Sequence, residues 1–102
     1  MMKKVIALSS IVFSINAYSH TDCPIAKITH IQVQQNVILI NVEGQNWHRL
    51  GSVGGPGVSE MYSAVLSAHA SDKRVLARYP DGYDCSAYNT NINAIAVRIY
   101  PN

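Results

Sequence analysis

The sequence predicts a mainly β domain with one helix, three strands before it and two after. Three observations predict this. Runs of β-branched residues recur between short polar breaks, as at IAKITHIQV, VILINV and AIAVRIY. One segment alone, residues 57–73, carries a 3.6-residue apolar stripe: Val58, Met61, Tyr62, Val65, Leu66 and His69. Turn-forming clusters, EGQN, GSVGGPG and PDG, separate the runs.

The first 19 residues stand apart. Lys3 and Lys4 precede the apolar run VIALSSIVF, and SINAYS follows with small residues at a cleavage site after Ser19. That is the pattern of a secretory signal peptide, too short in its apolar part to span a bilayer. The expected product is a single soluble domain over residues 20–102, secreted or periplasmic, with no stable membrane insertion. Cys23 follows His20, Thr21 and Asp22, which is not a lipoprotein site.

Removing the leader removes the basic balance. The full chain has a formal charge of +2. Residues 20–102 hold Lys27, Arg49, Lys73, Arg74, Arg78 and Arg98 against Asp22, Glu43, Glu60, Asp72, Asp81 and Asp84, six of each sign. A nucleic-acid partner wants a basic face, so none is expected, although Tyr79, Tyr88 and Tyr100 offer rings for base stacking.

The first strand is expected over residues 25–33. Ile31 and Val33 share one face while Ile28 falls on the other, which suggests a bulge or a strand covered on both sides. Gln34, Gln35 and Asn36 break it, and residues 37–42 form a second, buried strand. After the turn at residues 43–46, WHRL is a short third strand with Trp47 and Arg49 on one side and His48 and Leu50 on the other. The glycine-rich loop at 51–57 lacks the lysine and spacing of a phosphate cradle. Ser59 is the expected helix cap. RVLARY follows, with Val75, Ala77 and Tyr79 on one face and Arg74 and Arg78 on the other. Residues 83–93 read as a polar, aromatic loop. The last strand is AIAVRIY, with Ile95, Val97 and Ile99 inward and Arg98 and Tyr100 outward.

Two cysteines, Cys23 and Cys85, are expected to pair in an exported chain. The bridge would close a long loop and contribute roughly 4 kcal/mol. A reactive thiol or a metal ligand is the alternative use.

Three strands, a helix and two strands in so short a chain is the order of a five-stranded OB-fold barrel. A two-layer α+β sandwich has the same count. The IAKITHIQV–VILINV hairpin, the MYSAVLSAHAS helix and RVLARY resemble the B subunits of bacterial AB-type toxins, those of subtilase cytotoxin and the pertussis-like toxins above all. The likeness spans most of residues 20–102 as element order and length, not as a sequence motif. It implies a homo-oligomer, a ring of five, with glycans bound on the barrel surface, helices facing a central pore and a possible catalytic A subunit as partner. No binding residue is carried over from it.

Two clusters have the residue types of a sugar site, an aromatic face with amide and guanidinium groups at its rim. One is Gln45, Asn46, Trp47 and Arg49; the other is Tyr83, Asp84, Tyr88 and Asn89. Each has a plainer reading: Trp47 as core, and the Asn and Asp side chains as turn formers. Along the helix, Ser59, Ser63 and Ser67 form an uncharged face, expected to contact a neighbouring subunit or line a pore.

Catalytic patterns are missing: no GxSxG, no P-loop and no close carboxylate pair. No enzyme, metal or cofactor is therefore expected. His20, His30, His48 and His69 show neither HxH nor HExxH spacing, and His69 on the apolar stripe reads as a satisfied core histidine. As a new N-terminal residue His20 would chelate Cu²⁺ only with a further ligand such as His30 or His48. The competing functional reading is a small monomeric periplasmic protein, structural or inhibitory, that binds another protein.

Overall fold

The structure, a computed structural model, describes residues 19–102, so the expected leader lies almost wholly outside the described residues. It is mainly β with one helix. The elements are β1 (His20–Asp22), β2 (Ala26–Val33), β3 (Val37–Val42), β4 (Trp47–Ser52), α1 (Val58–Ala70), β5 (Arg74–Pro80), β6 (Asn89–Asn93) and β7 (Ala96–Tyr100).

The strands form one sheet in the order β1-β5-β2-β3-β4-β6, with β7 added to β5. This corrects the expected count of five. The sheet curls as an open half-barrel around the core instead of closing through five continuous strands. Two strands form where none was expected, β1 ahead of residue 25 and β6 within the segment 83–93 read as a loop. β1 and β2 lie one after the other along β5, with Thr21 opposite Tyr79 and Ala26 opposite Val75. Pro24 separates them, and a proline cannot donate to a ladder. β6 runs parallel to β4, whereas β7 runs antiparallel to β5. At their junction Ala94 N–H donates to Leu50 C=O and Ile95 N–H to Arg78 C=O, so adjacent amides reach opposite sides.

The bulge anticipated in the first strand is present: the β2–β3 register shifts between Ile28 and His30. Ile28 consequently faces the core together with Ile38, Ile40, Val42, Leu50, Val75, Ala77 and Tyr79. Burying each such Ile, Leu or Val contributes about 1.5–3 kcal/mol before conformational entropy is counted.

The helix seals this core with a stripe slightly rotated from the expected one. Val58, Val65 and Ala68 are buried, and Met61 and Tyr62 pack on the core, but Leu66 is 43% exposed. Successive residues turn by about 100°, so a stripe centred near Met61 and Val65 takes in Ala68 and turns Leu66 out. His69 is exposed, not in the core, and its Nδ1 donates to the Ile28 carbonyl beside the bulge at 3.1 Å.

The N-terminal end of the helix differs from expectation. Gly57 is the N-cap, at φ 71° with no side-chain cap, and Ser59 instead donates its hydroxyl to Glu60 Oε1 at 3.1 Å. Gly51 allows the loop to fold close, since a Cβ there would meet Val58 Cγ2 at 2.5 Å. At the C-terminus Lys73 N–H donates to Ala68 C=O and Asp72 N–H to His69 C=O, the Schellman pattern. Asp72 takes the left-handed position usually held by glycine, at φ 59°, and its carboxylate pairs with Lys27 at 2.9 Å.

On β7 the expectation fails in part. Val97 packs on the core, but Ile95 is 54% and Ile99 36% exposed. The strand pairs with β5 alone and packs against α1.

Candidate functional site

The disulfide joins Cys23 to Cys85, 62 residues apart in sequence. It fixes the start of the chain against the loop between β5 and β6, the loop that carries Tyr83, Asp84 and Tyr88.

Beneath the bridge lies a hydrogen-bonded chain whose direction can be read atom by atom. Gln45 Nε2 donates to Pro24 C=O at 2.8 Å, which fixes the amide orientation. Its Oε1 then accepts from His48 Nε2 at 2.9 Å. The imidazole therefore carries its proton on Nε2, and Tyr83 donates its hydroxyl to the bare Nδ1 at 2.6 Å. His48 is fully buried, and burial pulls its pKa below the ordinary imidazole value. Tyr79 stacks on Tyr83 at 4.0 Å and 9°, and donates its hydroxyl to Arg49 C=O at 2.9 Å. Burial pushes the Tyr79 phenol up strongly and is the main reason Tyr83 rises to about 12.

The two sequence clusters thus separate into framework and surface. Gln45 and Tyr83 are tied to the buried His48. Arg49 is a latch: Nε donates to Asn93 Oδ1 at 2.7 Å, Nη1 to Thr90 C=O at 3.3 Å and Nη2 to Ser52 Oγ at 2.6 Å. Asp84 Oδ1 accepts the amide and hydroxyl of Ser86, a turn-forming role that lowers its pKa. Asn89 likewise accepts the Asn91 amide at 2.9 Å. Asn46 joins the clusters, taking the Trp47 N–H on Oδ1 at 2.8 Å and reaching Ser86 C=O at 3.4 Å.

Two members remain on the surface as aromatic groups. Trp47 is half-buried and outside the core, on the face opposite His48. Tyr88 is 67% exposed and precedes Asn89, the β6 partner of His48. It therefore sits on the β6 flank of β4. On the other flank the register sets His30, Asn41 and Trp47 in one row across β2, β3 and β4. The His30 and Trp47 rings lie 6.2 Å apart at 43°. Thr29 donates to Asn41 C=O at 3.1 Å, and its hydroxyl lies 3.1 Å from His30 Nδ1.

Sequence reasoning missed His30, Thr29 and Asn41. The signal was not local, because only the register across three strands brings them to Trp47. Arg49 and its neighbours offer donors but no acid–base pair beside a reactive group.

Ser59, Ser63 and Ser67 are exposed along α1, as the helical spacing requires. Among the described residues there is no enclosed pocket and no group of histidine, cysteine and carboxylate side chains arranged to hold a metal. No helix among them is long and apolar enough to cross a membrane. The chain matches no protein-family model, no curated protein and no solved structure.

Proposed function

We propose that this chain is an exported, non-catalytic binding module of the toxin B-subunit type that recognises glycans as a homo-oligomer. The observation carrying this reading is the placement of Trp47: a flat ring on an outer sheet face, flanked by His30 and by the loop bearing Tyr88. Pyranose C–H groups pack on such rings, and amide, hydroxyl and imidazole groups around them supply the directional bonds. An open face suits the end of a sugar chain, which is met by stacking without engulfment.

Three further points support it. The disulfide fits an oxidising compartment, hence export. β6 and β7, parted only by Ala94 and Ile95, act as one bent strand between β4 and β5, an OB-like connection. The uncharged Ser59–Ser63–Ser67 face permits close approach of a second helix, as a ring with or without an A subunit requires.

A glycan array probed with the oxidised protein tests the reading, with solution mass measured alongside. Saturable binding to at least one sugar class by an oligomer is expected. A folded monomer that binds no glycan retires it. That outcome would favour the second reading, a monomeric structural or inhibitory protein, for which the exposed Ile92, Ile95 and Ile99 offer a protein-binding strip.

A further inference from the structure

The relay Pro24–Gln45–His48–Tyr83, buried at His48 and Tyr83 and exposed at Pro24, suits a task beyond packing. It joins four separate places: the residue after Cys23, the turn before β4, β4 itself and the disulfide-held loop. With the imidazole neutral and protonated on Nε2, each donor along it meets an acceptor. We propose that His48 is an acid-sensitive latch whose protonation releases the Tyr83–Tyr88 loop from β4.

The conflict on protonation is specific. A proton added at Nδ1 faces the Tyr83 hydroxyl hydrogen across 2.6 Å. Tyr83 must then turn its O–H away and accept, which takes that hydrogen from its present acceptor. Nε2 gains nothing, since it already donates to Gln45. The new cation also has no counter-charge. The titratable groups against the ring are Tyr79 from β5 and Tyr83 from the loop, with rings 5.4 and 5.5 Å away, and both are neutral in acid. Ile40 of β3 and Asn89 of β6, its register partners, carry no charge. Arg49 points to the other face, Asp84 is exposed and turned to Ser86, and of the titratable groups on α1 Tyr62 packs on the core while Glu60 and His69 are exposed. A fully buried imidazolium in such surroundings is strongly disfavoured.

The sign follows from proton binding. A histidine held neutral by the fold binds fewer protons than the same residue in an opened state. Closure therefore weakens as pH falls below about 6.5, the ordinary imidazole value. Between pH 7 and pH 5 one such group raises the open population by at most about 25-fold, the limit in which the closed form never protonates. Loosening would first reach Asn46–Ser86 and Tyr88, the flank of Trp47. The latch stands whether or not that face takes a sugar.

The test is an NMR pH titration of the histidine ring protons in the full oxidised chain, with amide hydrogen exchange of residues 83–89. His48 is expected to titrate below the ordinary imidazole value. Amides of the loop should lose protection as pH falls from 7 to 5, up to about 25-fold after correction for intrinsic exchange, and the His48→Gln variant should lack that step. A His48 ring that titrates at the ordinary value without any change in loop protection overturns the proposal. So does an equal loss of protection in His48→Gln. If that variant does not fold, the wild-type ring titration and loop exchange decide alone.

Discussion

Opening the Cys23–Cys85 bridge should remove a large part of this domain's stability. The two positions are 62 residues apart, so the bond closes most of the described chain into one loop. Chain-entropy bookkeeping for a loop of that size gives about 4 kcal/mol at 25 °C, acting mainly through the unfolded state. Small domains hold roughly 5–15 kcal/mol in all. The perturbation is best made twice, by reducing the wild-type protein and by the Cys23→Ala/Cys85→Ala double variant. Reduction isolates the cross-link, whereas the double variant also removes a buried sulfur, because Cys23 is only 2% exposed. Urea unfolding followed by the emission of Trp47, the single tryptophan, reads both. The expected result is a loss near 4 kcal/mol on reduction, a slightly larger one in the variant, and a steeper denaturant slope as the unfolded chain expands. A loss under about 1 kcal/mol would refute the reasoning, since it would mean the unfolded chain is already held compact without the bond.

Three other outcomes follow from particular contacts. Gly51→Ala places a methyl where Val58 Cγ2 stands 2.5 Å away, so thermal melting should show a loss of about 1–3 kcal/mol, partly restored by adding Val58→Ala. Tyr79→Phe leaves the Arg49 carbonyl without its donor and should cost about 1 kcal/mol by chemical denaturation, with the Tyr79–Tyr83 stack retained. Ser63→Glu/Ser67→Glu changes only exposed positions; light scattering should show smaller assemblies with monomer melting unchanged, and identical mass would make that face plain polar surface.

Much of the architecture was legible because local chemistry and tertiary context agree. The apolar run of β3, interrupted only by Asn41, matches its residues to the end, and the parity of Val75, Ala77 and Tyr79 against Arg74 and Arg78 holds in β5. The disulfide followed from the expected compartment and the cysteine count. What failed was set by contacts remote in sequence. β1 is three residues of no apolar pattern, recruited by β5, where Arg78 reaches Asp22 at 2.7 Å and holds that carboxyl below its usual range. β6, NTNIN, has turn composition and pairs only because the Arg49 fork and the Asn89–His48 register hold it to β4. The candidate site divides in the same way. Trp47 and His48 were placed on opposite faces by alternation. Whether Arg49 or Tyr83 was free to meet a ligand depended on Asn93, Thr90 and His48, and no local pattern names those partners.

The central claim is that the outer face at Trp47 is the ligand surface. Calorimetric titration of the strongest array sugar into wild type and Trp47→Ala tests it most directly. Trp47 lies outside the core, so the variant should melt close to wild type. Saturable wild-type binding is expected, with at least a tenfold loss of affinity in Trp47→Ala, about 1.4 kcal/mol. Equal affinity in the two proteins would contradict it.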